Sequence, residues 1–171
     1  MDYLKQFSIP FKGMLDGVHH YSFELDEDFF RRFPSSPFGP CKIQTDFNTD
    51  KQGSLMTVNI NVTGSAMVNC DRCLAEISLP VAGAYQIIVK QAVGTSDDPD
   101  LYFISPEENE WNIAELIYEY CCLSLPMSRT INCEEMNPAP CNREVLSKIT
   151  EDKVNLEGNA LWDELKKLNL K

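Results

Sequence analysis

Hydrophobic and polar residues alternate most regularly in the middle of the chain. In the segment SLMTVNINVTG, residues 54–64, every second residue is apolar: Met56, Val58, Ile60 and Val62. A period of two places successive side chains on opposite faces of a strand. The pattern predicts a half-buried β-strand, and the preceding segment CKIQTDF, residues 41–47, predicts an antiparallel partner that is joined to it through a turn at residues 48–53.

A second alternating segment, EISLPVAGAYQIIVKQAV, covers residues 76–93. Its regularly spaced apolar residues are Ile77, Leu79, Val81, Tyr85, Ile87 and Val89. Pro80 has no N–H to donate within a sheet, so it indicates an edge position or a bulge. A shorter opening strand is predicted at Lys5–Phe11. These segments together predict an antiparallel sheet that could curl toward a barrel.

Three other segments have helical patterns. The first, Glu24–Phe33, has acids near its start and arginines near its end, as the helix dipole prefers. The second, WNIAELIYEYCCLSLP, has a helical apolar stripe, with Asn112 and Glu115 as a capping box and an end before Pro126. The third is the closing segment 159–171, where leucines share one face. The fold class predicted is therefore α+β, with about three helices.

Length and composition limit the class of protein. A chain of 171 residues fits a single domain, residues 1–171, in which residues 94–110 form an acidic linker between a β-rich part and a helical C-terminal part. The N-terminal segment lacks the apolar run of a signal peptide, and no run approaches the ~20 apolar residues of a membrane span. These features predict a cytoplasmic protein without a membrane partner, in which the seven cysteines stay reduced.

The net charge of −11 is unevenly distributed along the chain. No Lys or Arg occurs between Gln91 and Ser128, whereas this region holds eight acids: Asp97, Asp98, Asp100, Glu107, Glu108, Glu110, Glu115 and Glu119. Such a region is either a solvated surface or a docking surface for a basic partner. The balance argues against broad coating of nucleic acid, which requires Lys and Arg to neutralise phosphates.

The Cys-x-x-Cys pair Cys70 and Cys73 lies between the two alternating segments and predicts a rigid corner at a strand junction. A redox pair would be expected at a helix N-terminus, but the residues that follow alternate as a strand. A structural zinc site needs four ligands, and Cys133 and Cys141 are the available second pair. Their separation by seven residues is wider than in a standard knuckle, so buried packing of the thiols stays open as the alternative.

The remaining candidates for chemistry are few. Cys41, Cys121 and Cys122 are predicted to pack rather than to react. His19 and His20 are adjacent in a strand or loop and suggest no shared site. The chain has no phosphate-binding glycine loop, nucleophile elbow or zinc-protease helix, so no enzyme activity and no small-molecule substrate are predicted.

Three motifs, read together, resemble the YceD family of large ribosomal RNA subunit accumulation proteins. The first runs from Gly64 through Cys70, Arg72, Cys73 and Leu74, similar to the family's G-x5-C-x-R-C-L. The second is the segment NIAELIYEYCCLSLP, which begins at Asn112, with Cys133 in the place of a further family cysteine. The third is NALWDELKKL with Trp162, although residues 159–161 replace the family's Asp-Pro-Arg.

The resemblance implies a non-enzymatic role in the accumulation or processing of 23S ribosomal RNA and in assembly of the large subunit. The protein would bind this RNA or an assembly intermediate, with Arg72 and Arg129 as the leading contact residues and Lys90 and Arg143 as further ones. The alternative is an acidic chaperone that holds a small basic ribosomal protein of the large subunit. Salt would weaken that electrostatic attraction.

Overall fold

The computed structural model describes residues 3–133 and 136–156, with side chains described up to residue 149. Contacts between residues divide the chain into two compact units. Unit 1 comprises residues 1–68 and 78–127, and unit 2 comprises residues 69–77 and 128–171. The Cys-x-x-Cys segment and the downstream cysteines Cys133 and Cys141 therefore belong to the same unit.

A five-stranded, mostly antiparallel sheet is the main element of the fold. Its strands, in spatial order, are β2 (Gly17–Leu25), β3 (Cys41–Gln52), β4 (Leu55–Asn69), β5 (Glu76–Gln91) and β6 (Leu101–Ile104). Strands β2, β3 and β4 pair antiparallel, and β6 runs parallel to β5. A separate two-stranded sheet joins β1 (Ser8–Pro10) to β7 (Glu110–Asn112). The α+β class is confirmed, but the barrel is not: within the described residues, the sheet stays open.

The β3–β4 hairpin is longer and its turn is tighter than the alternation predicts. Gln52 pairs with Leu55, so the connection is Gly53-Ser54 rather than residues 48–53. Gly53 has a φ of 61°, which the first position of a two-residue hairpin turn requires and which glycine adopts without strain. The predicted buried face is confirmed, since Met56, Val58, Ile60 and Val62 are all 0% exposed.

Two predictions near the N-terminus are wrong in their extent. Residues Tyr3–Gln6 form a short 3-10 helix, so the opening strand is only Ser8–Pro10. The helix predicted at Glu24–Phe33 is reduced to α1, Glu27–Phe30, because Glu24 is still in strand β2. Asp26 begins α1 by accepting a hydrogen bond from the Phe29 backbone N–H at 3.2 Å.

An aromatic cluster occupies the core of unit 1. Phe29 and Phe30 are 0% exposed, and Phe7 lies edge-on to Phe29 with ring centroids 4.7 Å apart. Phe33 stacks on Tyr118 with ring centroids 4.2 Å apart and an angle of 8° between the rings. The short helix α1 is therefore stabilised mainly by the aromatic rings that it buries, since four residues alone are too few for a stable helix.

Strand β5 contains Pro80, which lies outside the stretch of β5 that pairs with β6. Strand β6 pairs with β5 only at Ile88–Gln91, so Pro80 lies outside that ladder and removes no hydrogen bond from it. Strands β6 and β7 both include residues of the segment 94–110 that was predicted as an acidic linker. This segment therefore contributes to both sheets of unit 1.

Two longer helices follow in the chain. Helix α2 spans Ala114–Ser124, which confirms an end before Pro126. The predicted capping box of Asn112 and Glu115 is wrong, because the N-cap is Ile113, which makes no side-chain capping bond. Asn112 lies one residue earlier and accepts a hydrogen bond from the Ala114 backbone N–H at 3.0 Å. Helix α3, Arg143–Leu156, was not predicted from the sequence. The helix predicted at residues 159–171 lies outside the described residues. No helix in the described part of the chain is both long and apolar enough to cross a bilayer.

Candidate functional site

A tight turn in unit 2 presents the Cys-x-x-Cys pair. Strand β4 ends at Asn69 and β5 begins at Glu76, and the turn between them is closed by two backbone hydrogen bonds. The Cys70 N–H donates to the carbonyl of Ala75 at 2.8 Å, and the Leu74 N–H donates to the carbonyl of Cys70 at 2.9 Å. Leu74 has a φ of 60°, a left-handed conformation that a leucine rarely adopts. These contacts therefore hold Cys70 and Cys73 in one tight turn.

The Cys73 side chain is surrounded by hydrogen-bond donors. It is 0% exposed. Hydrogen bonding from the Ala75 backbone N–H above all, and from the Asn142 backbone N–H and the Cys70 side chain, lowers the pKa of Cys73 below the ordinary value for a thiol, and the positive charge of Arg72 acts in the same direction.

Cys133 and Cys141 are joined in a disulfide, whereas Cys70 and Cys73 carry free thiols. The prediction that all seven cysteines stay reduced is therefore wrong for this pair. The spacing of the two residues did not reveal the bond, because the Pro-containing loop brings them together only in the folded chain. Arg72 lies beside the bond, with its Nη2 at 3.8 Å from both sulfurs.

Asp71 and Arg129, separated by 58 residues in the sequence, are bonded to each other in three ways. The Arg129 guanidinium lies 2.8 Å from the Asp71 carboxylate, which also accepts a hydrogen bond from the Arg129 backbone N–H at 2.8 Å. The Asp71 backbone N–H donates to the Arg129 carbonyl at 2.9 Å. These donors lower the pKa of Asp71 and keep it ionised. The charge of Arg129, a predicted contact residue, is thus already matched inside unit 2.

Unit 2 has a concave surface that encloses a pocket of about 440 Å³ and is lined by two arginines and by apolar side chains. Its lining residues include Arg72, Arg143, Met136, Leu146 and Cys141. Arg72 and Arg143 are exposed, and neither belongs to an ion pair among the described side chains. We call this surface the arginine groove.

The sequence did not predict that Arg72 and Arg143 lie in one groove, because helix α3, which carries Arg143, was not predicted. A signal was available: Pro140 precedes a helix that begins after Asn142, and the Asn142 side chain accepts a hydrogen bond from the Val145 backbone N–H at 3.3 Å.

The three cysteines of unit 1 have a different environment. Cys121 is 0% exposed on the buried face of α2, and its burial raises the pKa well above the ordinary value. Burial also raises the pKa of Cys41 to about 11 and, by less, that of Cys122. These thiols stay protonated at neutral pH, in keeping with the prediction that they pack in the fold rather than react.

The two histidines of strand β2 do not form a common site. The His19 Nε2 donates to the Leu15 carbonyl at 2.8 Å, and the His20 Nδ1 lies 2.8 Å from the Asn48 side-chain oxygen. Each ring therefore has its own partner within unit 1.

No group of three or more His, Cys, Asp or Glu side chains is arranged for metal binding in the part of the chain that is described. With Cys133 and Cys141 bonded to each other, two of the four predicted zinc ligands are not thiolates. Zinc binding by Cys70, Cys73, Cys133 and Cys141 therefore stays a prediction.

The negative charge lies almost wholly in unit 1. By sequence, unit 1 holds sixteen Asp and Glu against seven Lys and Arg, a net charge of −9. Unit 2 holds ten against eight, a net charge of −2. All eight acids between Gln91 and Ser128 are exposed, and none belongs to an ion pair between described side chains. We call these eight residues the acidic surface.

Comparison with protein families identifies the chain. The family model for the large ribosomal RNA subunit accumulation protein YceD matches residues 58–169, which is more than half of the chain. The chain belongs to the YceD family. The match contains the Cys-x-x-Cys turn, the downstream cysteines, both arginines of the groove and the acidic surface. Comparisons with curated proteins and with solved structures gave no significant match.

The YceD motif that contains the two cysteines begins at Gly64, where strands β3 and β4 come very close. Gly64 pairs with Ile43, and a Cβ atom at Gly64 would lie 2.7 Å from the Ile43 Cα and press on the Lys42 carbonyl. The absence of a side chain is therefore a steric requirement at this position.

Proposed function

We propose that this YceD-family protein is a non-enzymatic factor of large-subunit assembly that binds 23S ribosomal RNA, or an intermediate containing it, in the cytoplasm. The observation that supports this role is the arginine groove of unit 2, considered together with family membership. Arg72 and Arg143 lie on one concave surface, in the unit whose net charge is only −2. Guanidinium groups bind phosphate through paired hydrogen bonds, which suits contacts to an RNA backbone.

The different surroundings of the arginines determine which of them would contact RNA. Arg129 is paired with Asp71, so contact with a phosphate would compete with an existing carboxylate. Arg72 lies near two sulfurs of a disulfide, which carry no charge, and its positive charge is not matched there. We therefore assign phosphate contact to Arg72 and Arg143, and the support of the Cys-x-x-Cys corner to Arg129.

Because the groove has only two arginines, we expect RNA binding to depend weakly on the RNA sequence and strongly on the folded shape of the RNA. Two arginines in one groove can bind adjacent phosphates, but they cannot coat a long strand. The acidic unit 1 would repel RNA that extends toward it, which restricts binding to a local site. The Met136 and Leu146 side chains in the groove provide apolar surface against which an unstacked base can pack.

Substitution of Arg143 tests the RNA proposal in vitro. With a 23S RNA transcript as the probe, Arg143→Gln should weaken binding and lower the salt slope of log K by roughly 0.7 to 0.9, the effect of one lost phosphate contact. Filter binding across a salt series measures both quantities. Arg31→Gln is the matched control, because Arg31 lies in unit 1 and is paired with Glu27 at 2.7 Å. Equal slopes for Arg143→Gln and wild type would contradict the assignment.

The same variants test the role in cells. Deletion of the gene should lower 23S RNA and 50S particles in sucrose gradients, and a plasmid copy with Arg31→Gln should restore them. A copy with both Arg72→Gln and Arg143→Gln should not. Normal particle profiles in the deletion strain would refute the assembly role itself.

A second candidate function is favoured by the acidic surface of unit 1. Its eight acids, none of which is ion-paired with a described side chain, could hold a small basic ribosomal protein of the large subunit until the RNA site of that protein is ready. Attraction between surfaces of opposite charge speeds association and weakens as salt shortens the range of the interaction to about 10 Å at 0.1 M.

A pull-down from dissociated 50S subunits distinguishes this second function. The purified protein should retain a small basic ribosomal protein at low salt and release it at high salt. The double variant Glu107→Gln/Glu108→Gln should retain less of it. The variant Asp46→Asn/Asp50→Asn removes the same charge from strand β3 and is the control, which should bind as wild type does. Equal retention by both double variants, or no retention at all, would contradict an acidic docking surface.

A further inference from the structure

Contacts connect the four cysteines of unit 2 into one group. Cys70 and Cys73 flank Asp71 and Arg72, and the Asp71 backbone N–H donates to the Arg129 carbonyl of the downstream segment at 2.9 Å. The Arg72 Nη2 lies 3.8 Å from the sulfurs of Cys133 and Cys141, which are bonded to each other. Cys70, Cys73 and Cys133 are each no more than 1% exposed, and Cys141 is half-buried. Two pairs of cysteines, from segments about 60 residues apart, therefore lie on either side of the Arg72 side chain.

The turn at Cys70–Cys73 has the construction that a metal knuckle needs. Two residues separate the cysteines, and the backbone bond from Leu74 to the Cys70 carbonyl folds the turn tightly. The Cys70 backbone N–H also donates to the Ala75 carbonyl at 2.8 Å, which closes the other side of the turn. Both cysteines are therefore presented from one tight turn, as the paired ligands of a structural zinc site are.

Arg72 provides the charge that a four-thiolate metal centre requires. Zn²⁺ bound by four thiolates carries a formal charge of 2−, which is costly to bury without a cation nearby. The Arg72 Nη2 lies 3.8 Å from the sulfurs of both Cys133 and Cys141, and its side chain belongs to the turn that carries Cys70 and Cys73. The guanidinium of the Cys-x-x-Cys turn therefore contacts both sulfurs of the second pair.

We propose that Cys70, Cys73, Cys133 and Cys141 bind one Zn²⁺ when the Cys133–Cys141 disulfide is reduced, and that the disulfide and the zinc centre are alternative states of unit 2. Two sulfurs of a tetrahedral zinc centre lie roughly 3.8 Å apart, so a bonded pair cannot occupy two of its corners. The zinc site shares Arg72 with the arginine groove, but zinc binding does not require the function proposed above.

The conversion between the two states balances with a dithiol as the reductant. The dithiol transfers two electrons and two protons to the Cys133–Cys141 bond and leaves as its own disulfide. Cys133 and Cys141 become thiols. Zinc then displaces one proton from each of the four thiols, so that binding releases protons and is favoured by higher pH.

Native mass spectrometry of the full chain tests the proposal. The disulfide form should carry no zinc after incubation with Zn²⁺, and alkylation in denaturant should modify five thiols. The form reduced with dithiothreitol without oxygen, then supplied with Zn²⁺ and passed through a desalting column, should carry one zinc. Oxidation of this form should release the metal. A reduced protein without zinc, or equal zinc in both forms, would overturn the proposal.

Variants and a spectroscopic probe identify the ligands. Cys70→Ser should lose the zinc, whereas Cys122→Ser, the control from unit 1, should keep it. Arg72→Gln should weaken zinc binding by roughly 10-fold to 100-fold, as the loss of an outer-shell partner does, while Arg143→Gln should not. If Cys70→Ser fails to fold, Co²⁺ bound to the wild-type reduced chain reports the ligands directly. Absorption bands other than those of a tetrahedral four-thiolate centre would refute the site.

Discussion

Replacing Phe29 by alanine is expected to lower the free energy of unfolding by about 3 to 5 kcal/mol, the range for a buried Phe→Ala change. Phe29 is 0% exposed, and its ring lies within 5.2 Å, centroid to centroid, of the rings of Phe7, Phe30 and Phe33. The substitution therefore removes one ring and leaves each of the three others with one ring contact fewer. It also removes much of the burial that holds α1, a helix of only four residues.

Chemical denaturation monitored by circular dichroism measures this loss. Phe33→Ala is the matched control, because Phe33 lies at the half-buried edge of the same cluster and should cost clearly less. The two variants should share the denaturant slope of wild type, since the same surface unfolds. A Phe29→Ala protein as stable as Phe33→Ala would show that the aromatic cluster is not the core of unit 1.

The part of the fold that the sequence predicts well is the part determined by neighbouring residues. The alternation of Met56, Val58, Ile60 and Val62 identifies β4, because successive side chains of a strand point to opposite faces whatever the rest of the fold is. The end of α2 before Pro126 follows from proline geometry in the same local way. Strand order and the open edge of the sheet depend on distant segments, so alternation alone could not distinguish an open sheet from a barrel.

The aromatic core and unit 2 could not be predicted for the same reason. Phe7, Phe29 and Tyr118 come from three separated segments, and no spacing rule connects them. The ion pair between Asp71 and Arg129 joins residues from the two segments that make unit 2. In the sequence, Arg72 and Arg129 were equally good candidates for contact residues. Their surroundings differ in the folded chain: Arg129 is paired with the Asp71 carboxylate, whereas Arg72 lies beside the sulfurs of a disulfide.

Helix α3 shows a limit of a different kind. Its sequence, REVLSKITEDKVNL, is mostly polar, so the helix has few apolar residues to mark it. The cap residue Asn142 and the preceding proline were present as signals. Arg143 was predicted as a further contact residue, but without this helix its position beside Arg72 could not be predicted.

Replacing Gly64 by alanine is expected to destabilise the protein by about 3 kcal/mol, at the upper end of the usual cost of overpacking. The new Cβ would lie 2.7 Å from the Ile43 Cα and against the Lys42 carbonyl, and both are backbone atoms that cannot rotate away. Relief requires β3 and β4 to separate where Ile43 pairs with Gly64, which breaks ladder hydrogen bonds in the centre of the sheet.

Gly94→Ala is the control for this prediction. Its Cβ meets only the movable ring of Phe103, at 3.1 Å, so the thermal unfolding temperature should shift little. Because Gly64 lies in unit 1 and opens the family motif that leads to Cys70, the loss should appear in unfolding of the apo disulfide form as well as of the reduced form. Equal melting temperatures for Gly64→Ala and Gly94→Ala would mean that the two strands do not approach as closely as described.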